Sequence, residues 1–116
     1  MRFSKLVPML HTQDMERTIS WYIDILGFEL KERMGDDWCS LRRDGVSLMF
    51  MRNDHFGAPE ATATQYFYVD DVPALWERLK GQVTAEWGPE TFDYGMLEFA
   101  IRDPNGYLLS FGQTLE

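Results

Sequence analysis

The chain has 116 residues, of which 45% are hydrophobic, and this length predicts one domain with a core of its own. Its net charge of −8, from 19 acidic and 11 basic residues, opposes binding to nucleic acid or to an anionic membrane. The same charge suits a cationic small molecule but is also explained by solubility alone. No apolar run approaches the roughly 20 residues of a membrane helix, and the N-terminus "MRFSKLVPML" carries no export signal. We therefore expect a cytoplasmic protein, in which Cys39 is a small strand residue rather than a catalytic thiol.

The first half of the chain predicts a strand, a helix and three further strands. "LVPML" predicts a short strand, with Pro8 favouring an edge position. Asp14 is a good N-cap for the helix "MERTISWYIDIL", and Gly27 follows as its C-terminal stop. "FELKERM" and "WCSLRR" predict strands, and "DG" at 44–45 predicts a hairpin turn into the strand "VSLMFM".

The second half repeats this order after a polar connection that contains Gly57 and Pro59. Its predicted elements are the strand "QYFYV", a helix "VPALWERLK" capped by Asp70 or Asp71, the strand "VTAEW", a loop "GPETFDYG", the strand "MLEFAIR", a turn "DPNG" and the strand "YLLSFGQ". Aligning "DGVSLMF" with "NGYLLSF" places Phe50 on Phe111. An internal repeat of this length predicts two copies of one module.

Alternation along the strands assigns side chains to two faces. Leu97, Phe99 and Ile101 form one apolar face, which we expect to pack on a helix. The opposite face mixes methionines, tyrosines, small hydroxyls and a carboxylate, a composition that suits a ligand-lined concavity. Its predicted members are Ser47, Met49, Met51, Thr64, Tyr66, Tyr68, Met96, Glu98, Ala100, Arg102, Leu108, Ser110 and Gly112.

Three segments resemble the glyoxalase, bleomycin-resistance and extradiol dioxygenase superfamily, also called vicinal oxygen chelate. They are "LVPMLHTQDMERTISWYIDILGFEL", "FYVDDVPALWERL" and "EFAIRDPNGYLLSFGQ". The resemblance covers nearly the whole chain and implies an α+β fold in which two βαβββ modules, about 1–53 and 64–116, form a curved mixed sheet around a cavity. It also implies a homodimer with sites at or near the subunit interface.

Metal-dependent members of that superfamily carry His or Glu at one inward position on each of four strands. The resemblance maps these positions onto Val7, onto Met49 or alternatively Ser47, onto Thr64 and onto Ser110. None of these side chains is a competent metal ligand, since a divalent ion needs about three or four imidazole, carboxylate or thiolate donors. We therefore expect no metal and no cofactor, with His11 and His55 at the surface; a rearranged metal site built from Asp54, His55 or Glu98 is the alternative.

The resemblance is greatest to the metal-free, bleomycin-resistance branch, which binds a drug without transforming it. Aromatic rings can stack on a planar ligand or hold a cation, and methionines give an adaptable lining. The expected ligand-binding residues are Trp38, Met49, Met51, Tyr66, Tyr68, Trp87, Phe92, Tyr94, Met96, Glu98 and Ser110, with no catalytic residue among them.

Glu98 is the carboxylate on which the competing hypotheses differ. It could act as a general base, attract a cationic ligand, or pair with Arg42 or Arg102. The first hypothesis is a binding protein that sequesters a planar or cationic compound such as an antibiotic, and so confers resistance. The alternative is a glyoxalase-like lyase or isomerase, or a dioxygenase-related enzyme, using Glu98 or a non-standard metal site. A third is a protein-interaction module whose cavity is filled by side chains.

Overall fold

The computed structural model describes residues 1–53 and 64–116 and divides the chain into two compact units, Met1–Pro59 and Glu60–Glu116. The predicted connection with Gly57 and Pro59, and the alternative ligands Asp54 and His55, lie outside the described residues. Within the described ranges, neither helix has the length and apolar character that a membrane span requires.

Each unit is a four-stranded sheet with one helix, in the order strand, helix, three strands. The first unit contains β1 (Met9–Thr12), α1 (Met15–Asp24), β2 (Glu29–Met34), β3 (Trp38–Arg43) and β4 (Val46–Arg52), with the strand order β1-β4-β3-β2. The second contains β5 (Thr64–Tyr68), α2 (Val72–Leu79), β6 (Trp87–Phe92), β7 (Met96–Arg102) and β8 (Leu108–Thr114), in the order β5-β8-β7-β6. In both sheets the first strand pairs in parallel and the other pairs are antiparallel. The predicted α+β fold of two βαβββ modules is confirmed.

Both helices begin at an aspartate cap. The carboxylate of Asp14 accepts a hydrogen bond from the main-chain N–H of Arg17 at 3.0 Å, and that of Asp71 accepts one from Ala74 at 3.0 Å. Each bond satisfies a main-chain donor that the first helical turn leaves without a partner. Of the two candidates in the second unit, Asp71 is therefore the cap.

Aromatic side chains join helix and sheet in the core of each unit. In the first unit Tyr22 of α1 contacts Phe50 of β4, with ring centroids 5.2 Å apart. In the second, Trp76 of α2 contacts Phe99 of β7 at 5.1 Å, and Phe99 stacks on Phe111 of β8 at 5.1 Å. The faces predicted to pack on the helices are the ones that do so.

Two predicted strands are wrong: one contains Pro8, and the other ends two residues before Pro89. β1 begins at Met9 rather than Leu6 because Pro8 lacks an N–H; its carbonyl instead accepts from Met49 N–H at 2.9 Å, and pairing with β4 starts there. Val7 consequently precedes the strand.

The predicted strand "VTAEW" and loop "GPETFDYG" are also wrong, because the strand is β6 and the turn covers only residues 93–95. β6 lies at the sheet edge, and a register shift between Trp87 and Glu90 accommodates Gly88 and Pro89. A bulged edge strand tolerates proline because the missing N–H is not needed for pairing.

Candidate functional site

The carboxylate of Glu98 lies in the middle of β7, on the sheet face away from α2, and the residue is 3% exposed. Three neutral groups donate to it. The hydroxyls of Tyr66 and Tyr94 donate to Oε1 at 2.7 and 2.8 Å, and the indole Nε1–H of Trp87 donates to Oε2 at 2.7 Å. Three donors directed at one carboxylate stabilise its charge by hydrogen bonding.

Tyr66 reaches Glu98 by crossing a neighbouring strand. Its own strand, β5, is separated from β7 by β8, and Gly112 of β8 is the residue paired with Glu98. A β-carbon built at Gly112 would overlap the Tyr66 hydroxyl and crowd the methyl carbon of Met96. Gly112 therefore leaves the space in which the Tyr66 side chain lies. The signal for this in the sequence is a glycine inside a strand, which often marks a close approach.

A second glycine brings β6 close to the carboxylate. Gly88 has φ +75°, and a β-carbon there would overlap the main-chain oxygen of Glu98. A residue with a side chain is therefore disfavoured by both conformation and space. The bulge at this point places Trp87, paired with Ala100, where its indole can donate to Glu98.

The environment of Glu98 keeps both tyrosines protonated. The pKa of Tyr94 is raised to about 12, chiefly because its hydroxyl is desolvated. The hydrogen bond to Glu98 and the charges of Glu98, Asp93 and Glu90 raise it further. Desolvation and the hydrogen bond to Glu98 also raise the pKa of Tyr66 well above its ordinary value. Both phenols therefore remain neutral donors throughout the physiological pH range.

The predicted alternative that Glu98 pairs with an arginine is wrong. Arg102 binds Glu86 Oε1 at 3.1 Å and the carbonyl oxygen of Gly106 at 2.8 Å. Arg42 donates from Nε to the carbonyl oxygen of Asp44 at 2.9 Å. Across residues 1–53 and 64–116, Glu98 makes no ion pair, so the positive charge that would balance it is missing from this part of the chain.

The rings around the carboxylate are accessible although the carboxylate is not. Tyr66, Tyr94 and Tyr68 are 39%, 55% and 75% exposed. Tyr66 lies against Tyr68 with ring centroids 5.2 Å apart, and Phe92 stacks on Tyr94 at 5.3 Å. We call these rings the aromatic patch, defined as Tyr66, Tyr68, Trp87, Phe92 and Tyr94.

The remaining predicted ligand-binding residues fall into two groups. Met96 and Ser110 lie on the same sheet face as Glu98, and Ser110 is buried between its partners Tyr66 and Ala100. Trp38, Met49 and Met51 form a separate group in the first unit, where Trp38 pairs with Met51 and Met49 with Met9. His11, predicted at the surface, is half-buried in β1 and pairs with Met51.

The metal positions implied by the family hold side chains that do not fit a divalent ion. Val7 precedes β1, Ser47 and Met49 lie in β4, Thr64 begins β5, and Ser110 lies in β8. Their methyl, thioether and hydroxyl groups are weak ligands or none. Among the described residues, no three His, Cys, Asp or Glu side chains are grouped so as to hold a metal. The residues therefore do not match the site of metal-dependent relatives.

Solved structures with the same fold include three of different description. A glyoxalase/bleomycin resistance protein/dioxygenase from Nocardioides has a TM-score of 0.84 at 17% identity, covering 100% of this chain and 87% of that one. TnmS3, an antibiotic binding protein from Streptomyces sp. CB03234, has a TM-score of 0.79 at 23% identity, covering 98% of both chains. Lactoylglutathione lyase from Agrobacterium tumefaciens has a TM-score of 0.76 at 19% identity, covering 95% of this chain and 93% of that one. At these identities the likeness shows the fold alone.

Sequence comparison gives a family but no individual relative. No curated protein matches the chain. A family model for the Glyoxalase/Bleomycin resistance protein/Dioxygenase superfamily matches residues 6–111, which is nearly the whole chain and includes every element from β1 to β7. The protein therefore belongs to the glyoxalase/bleomycin resistance protein/dioxygenase superfamily.

Proposed function

We propose that the protein is a metal-independent binding protein of the bleomycin-resistance type, a cytoplasmic homodimer that sequesters a planar or cationic compound such as an antibiotic. The observation that carries this proposal is the state of Glu98. Its carboxylate is buried, receives three hydrogen bonds from neutral donors, and has no cationic partner within the described ranges.

A buried carboxylate without a counter-charge attracts a cation. Neutral donors stabilise the charge by hydrogen bonding but do not cancel it, and a charge away from bulk water acts over a longer distance than an exposed one. The exposed carboxylates of Glu90 and Asp93 lie close enough to raise the pKa of Tyr94, so they add to the same negative field. The net charge of −8 has the same sign. A cationic guest on the aromatic patch would gain from all of these charges.

The aromatic patch supplies the contact surface for such a guest. Stacking of aromatic rings contributes about 0.5–1.5 kcal/mol per pair beyond the area buried. A cation over a tyrosine or tryptophan ring gains about 0.5–2 kcal/mol, depending on its desolvation. The three tyrosines of the patch, which are 39–75% exposed, are available for these contacts. That a protein of the same fold, TnmS3, is described as antibiotic binding supports the proposal.

The proposal is tested by titrating the protein with planar compounds while tryptophan fluorescence is measured. A panel of intercalator-type and glycopeptide drugs should include cationic compounds and anionic compounds of similar ring size. We expect quenching at roughly micromolar concentration by cationic members alone. Trp87→Phe should remove most of the response, and Trp38→Phe serves as the matched control in the first unit. Absence of quenching across the panel, with the protein folded, would contradict the proposal.

Metal content gives an independent test. We expect purified protein to contain no stoichiometric metal, because the implied positions hold no suitable donor set. Elemental analysis measures this directly. A transition-metal ion held tightly by side chains of the second sheet would contradict the metal-independent part of the proposal.

A second candidate is lyase or isomerase activity with Glu98 as the base. The observation that favours it is the single hydrogen bond to Oε2, which leaves a lone pair on that atom for a substrate proton. The lactoylglutathione lyase of the same fold is consistent with this candidate. Glu98→Gln separates the two functions: turnover that disappears while ligand affinity for a neutral substrate persists would favour the enzyme.

A further inference from the structure

We infer that the aromatic patch selects permanently charged cations that lack N–H groups, such as quaternary ammonium or N-alkylated heteroaromatic ions, over protonated amines. This inference rests on the proposed function, because it assumes that the ligand binds on the patch. It goes further by assigning the chemical class of the cation.

The first step is that the ligand does not hydrogen-bond to the carboxylate. Glu98 is 3% exposed, and three of the roughly four acceptor positions of a carboxylate are occupied. The donors of those bonds are the hydroxyls of Tyr66 and Tyr94 and the indole N–H of Trp87. A ligand on the aromatic patch would contact the rings that carry these groups. An ammonium group on the outer side of these rings is therefore separated from the carboxylate oxygens by the groups that donate to them.

The second step is that the carboxylate acts through the rings. Each O–H or N–H that donates to an anion becomes more polarised, which increases the electron density of the attached ring. The ring face then attracts a cation more strongly, and the charge of Glu98 adds directly to that attraction. This attraction depends on charge and contact and requires no donor on the ligand.

The third step is the cost of leaving an N–H group without an acceptor. A primary ammonium has three N–H groups, whereas the groups that donate to Glu98 offer it two acceptors, the phenol oxygens of Tyr66 and Tyr94, since the indole of Trp87 is a donor only. The nearby carboxylates of Glu90 and Asp93 are exposed, so an N–H group that they accept stays in contact with water. An N–H group removed from water without a partner weakens binding. A quaternary ammonium has no such group, so it loses less when it leaves water.

A matched pair of probes tests the inference. Benzyltrimethylammonium and benzylammonium share one ring and one charge at neutral pH but differ in N–H groups, and neopentylbenzene is the uncharged carbon analogue of the former. We expect benzyltrimethylammonium to bind about tenfold more tightly than benzylammonium, as measured by calorimetry. Neopentylbenzene should bind more weakly than benzyltrimethylammonium.

The outcomes separate the inference from the proposed function. Equal or tighter binding of benzylammonium overturns the inference and leaves a cation-binding protein. Failure of both cations to bind, or equal binding of the uncharged analogue, overturns both.

Variants of one exposed ring provide the second measurement. Tyr94→Phe retains the ring but loses the hydroxyl that donates to Glu98, and Tyr94→Leu removes the ring. We expect benzyltrimethylammonium to bind a few-fold more weakly to Tyr94→Phe and about tenfold more weakly to Tyr94→Leu. Because Tyr94 is 55% exposed in a turn, both variants should fold. Unchanged affinity in Tyr94→Leu overturns the inference.

Discussion

The two units carry different residues at equivalent places in their sheets. In the first, Cys39 pairs with Phe50, and in the second Phe99 pairs with Phe111, all with their side chains buried. One step along each strand, on the opposite face, the first unit has the pair Trp38 and Met51. The second unit has Glu98 and Gly112. The helix-facing sides are alike, whereas the opposite sides differ in chemistry.

This difference distinguishes the residues that the fold requires, on the helix-facing side of each sheet, from the residues that form the candidate site. Each helix packs on one face of its own sheet, so apolar residues are required on that face in both units. The packing of the helix sets no such requirement on the other face. There the first unit has the indole of Trp38 and the thioether of Met51, whereas the second has the carboxylate of Glu98 and a glycine. The site therefore depends on a few positions that the fold leaves free.

The largest expected effect comes from removing the carboxylate that distinguishes the second unit. Glu98→Leu leaves three donors without their acceptor, and we expect the free energy of unfolding to fall by about 2–3 kcal/mol. Glu90→Leu is the matched control, because Glu90 pairs with Glu98 across β6 and β7 but is exposed. That control should change stability by less than about 0.5 kcal/mol. Denaturant unfolding measures both, and equal losses would show that the hydrogen bonds to Glu98 contribute little.

The next effect follows from making the second unit resemble the first at Gly112. Gly112→Ala places a methyl group where the Tyr66 hydroxyl lies, so the Tyr66 side chain must move and its bond to Glu98 is lost. We expect a loss of about 1–2 kcal/mol in the free energy of unfolding. Gly45→Ala is the control, since nothing lies within 4 Å of a β-carbon at that position. A stability change no larger than that of the control would contradict the role assigned to Gly112.

The sequence predicted the fold well wherever the deciding signal was local. β3 and β7 have the predicted bounds, and Asp14 caps its helix, because alternation, the turn at 44–45 and the cap are set by neighbours in the chain. β1 and β6 were misplaced because their limits depend on pairing with another strand. Pro8 was predicted to lie within a strand, yet the strand begins after it; Pro89 was predicted to lie in a loop, yet an edge strand accommodates it.

The site was predictable in part for the same reason. Alternation along β7 placed Glu98 on the face away from the helix, and it did so correctly. Its partners Tyr66 and Trp87 come from β5 and β6, so they could be identified only after the register of both pairings was known. The alternative of an arginine partner was wrong for Arg102 because that side chain binds Glu86, a contact between distant positions in the sequence.

A smaller effect is expected at the helix caps, and it tests whether equivalent residues of the two units contribute equally to the free energy of unfolding. The caps Asp14 and Asp71 make hydrogen bonds of the same length, 3.0 Å, to the third residue beyond each. Asp14→Ala and Asp71→Ala should each lower the free energy of unfolding by about 1 kcal/mol. Thermal or denaturant unfolding of the two variants measures this. Losses that differ by more than about 1 kcal/mol would show that the two caps share a geometry but contribute differently to stability.

The smallest expected effect is a loss of stability at high pH that belongs to the second unit. An unfolded tyrosine ionises near pH 10, while folding raises the pKa of Tyr94 to about 12. Between these values the unfolded chain has lost a proton that the folded chain keeps, so the stabilisation is complete below pH 10 and declines as pH rises toward 12. Tyrosinate absorbance should show late ionisation of both Tyr66 and Tyr94, and Tyr94→Phe should remove the part that belongs to Tyr94. A titration in which every tyrosine ionises near pH 10 would contradict this assignment.

The three hydrogen bonds to Glu98 also have a kinetic consequence. Since the carboxylate is already oriented before any guest arrives, the entropy of fixing it is lost during folding and not during complex formation. Association of the proposed cationic guest then requires only that water leave the ring faces, so its rate should be set by diffusion and long-range attraction and should decrease as ionic strength rises.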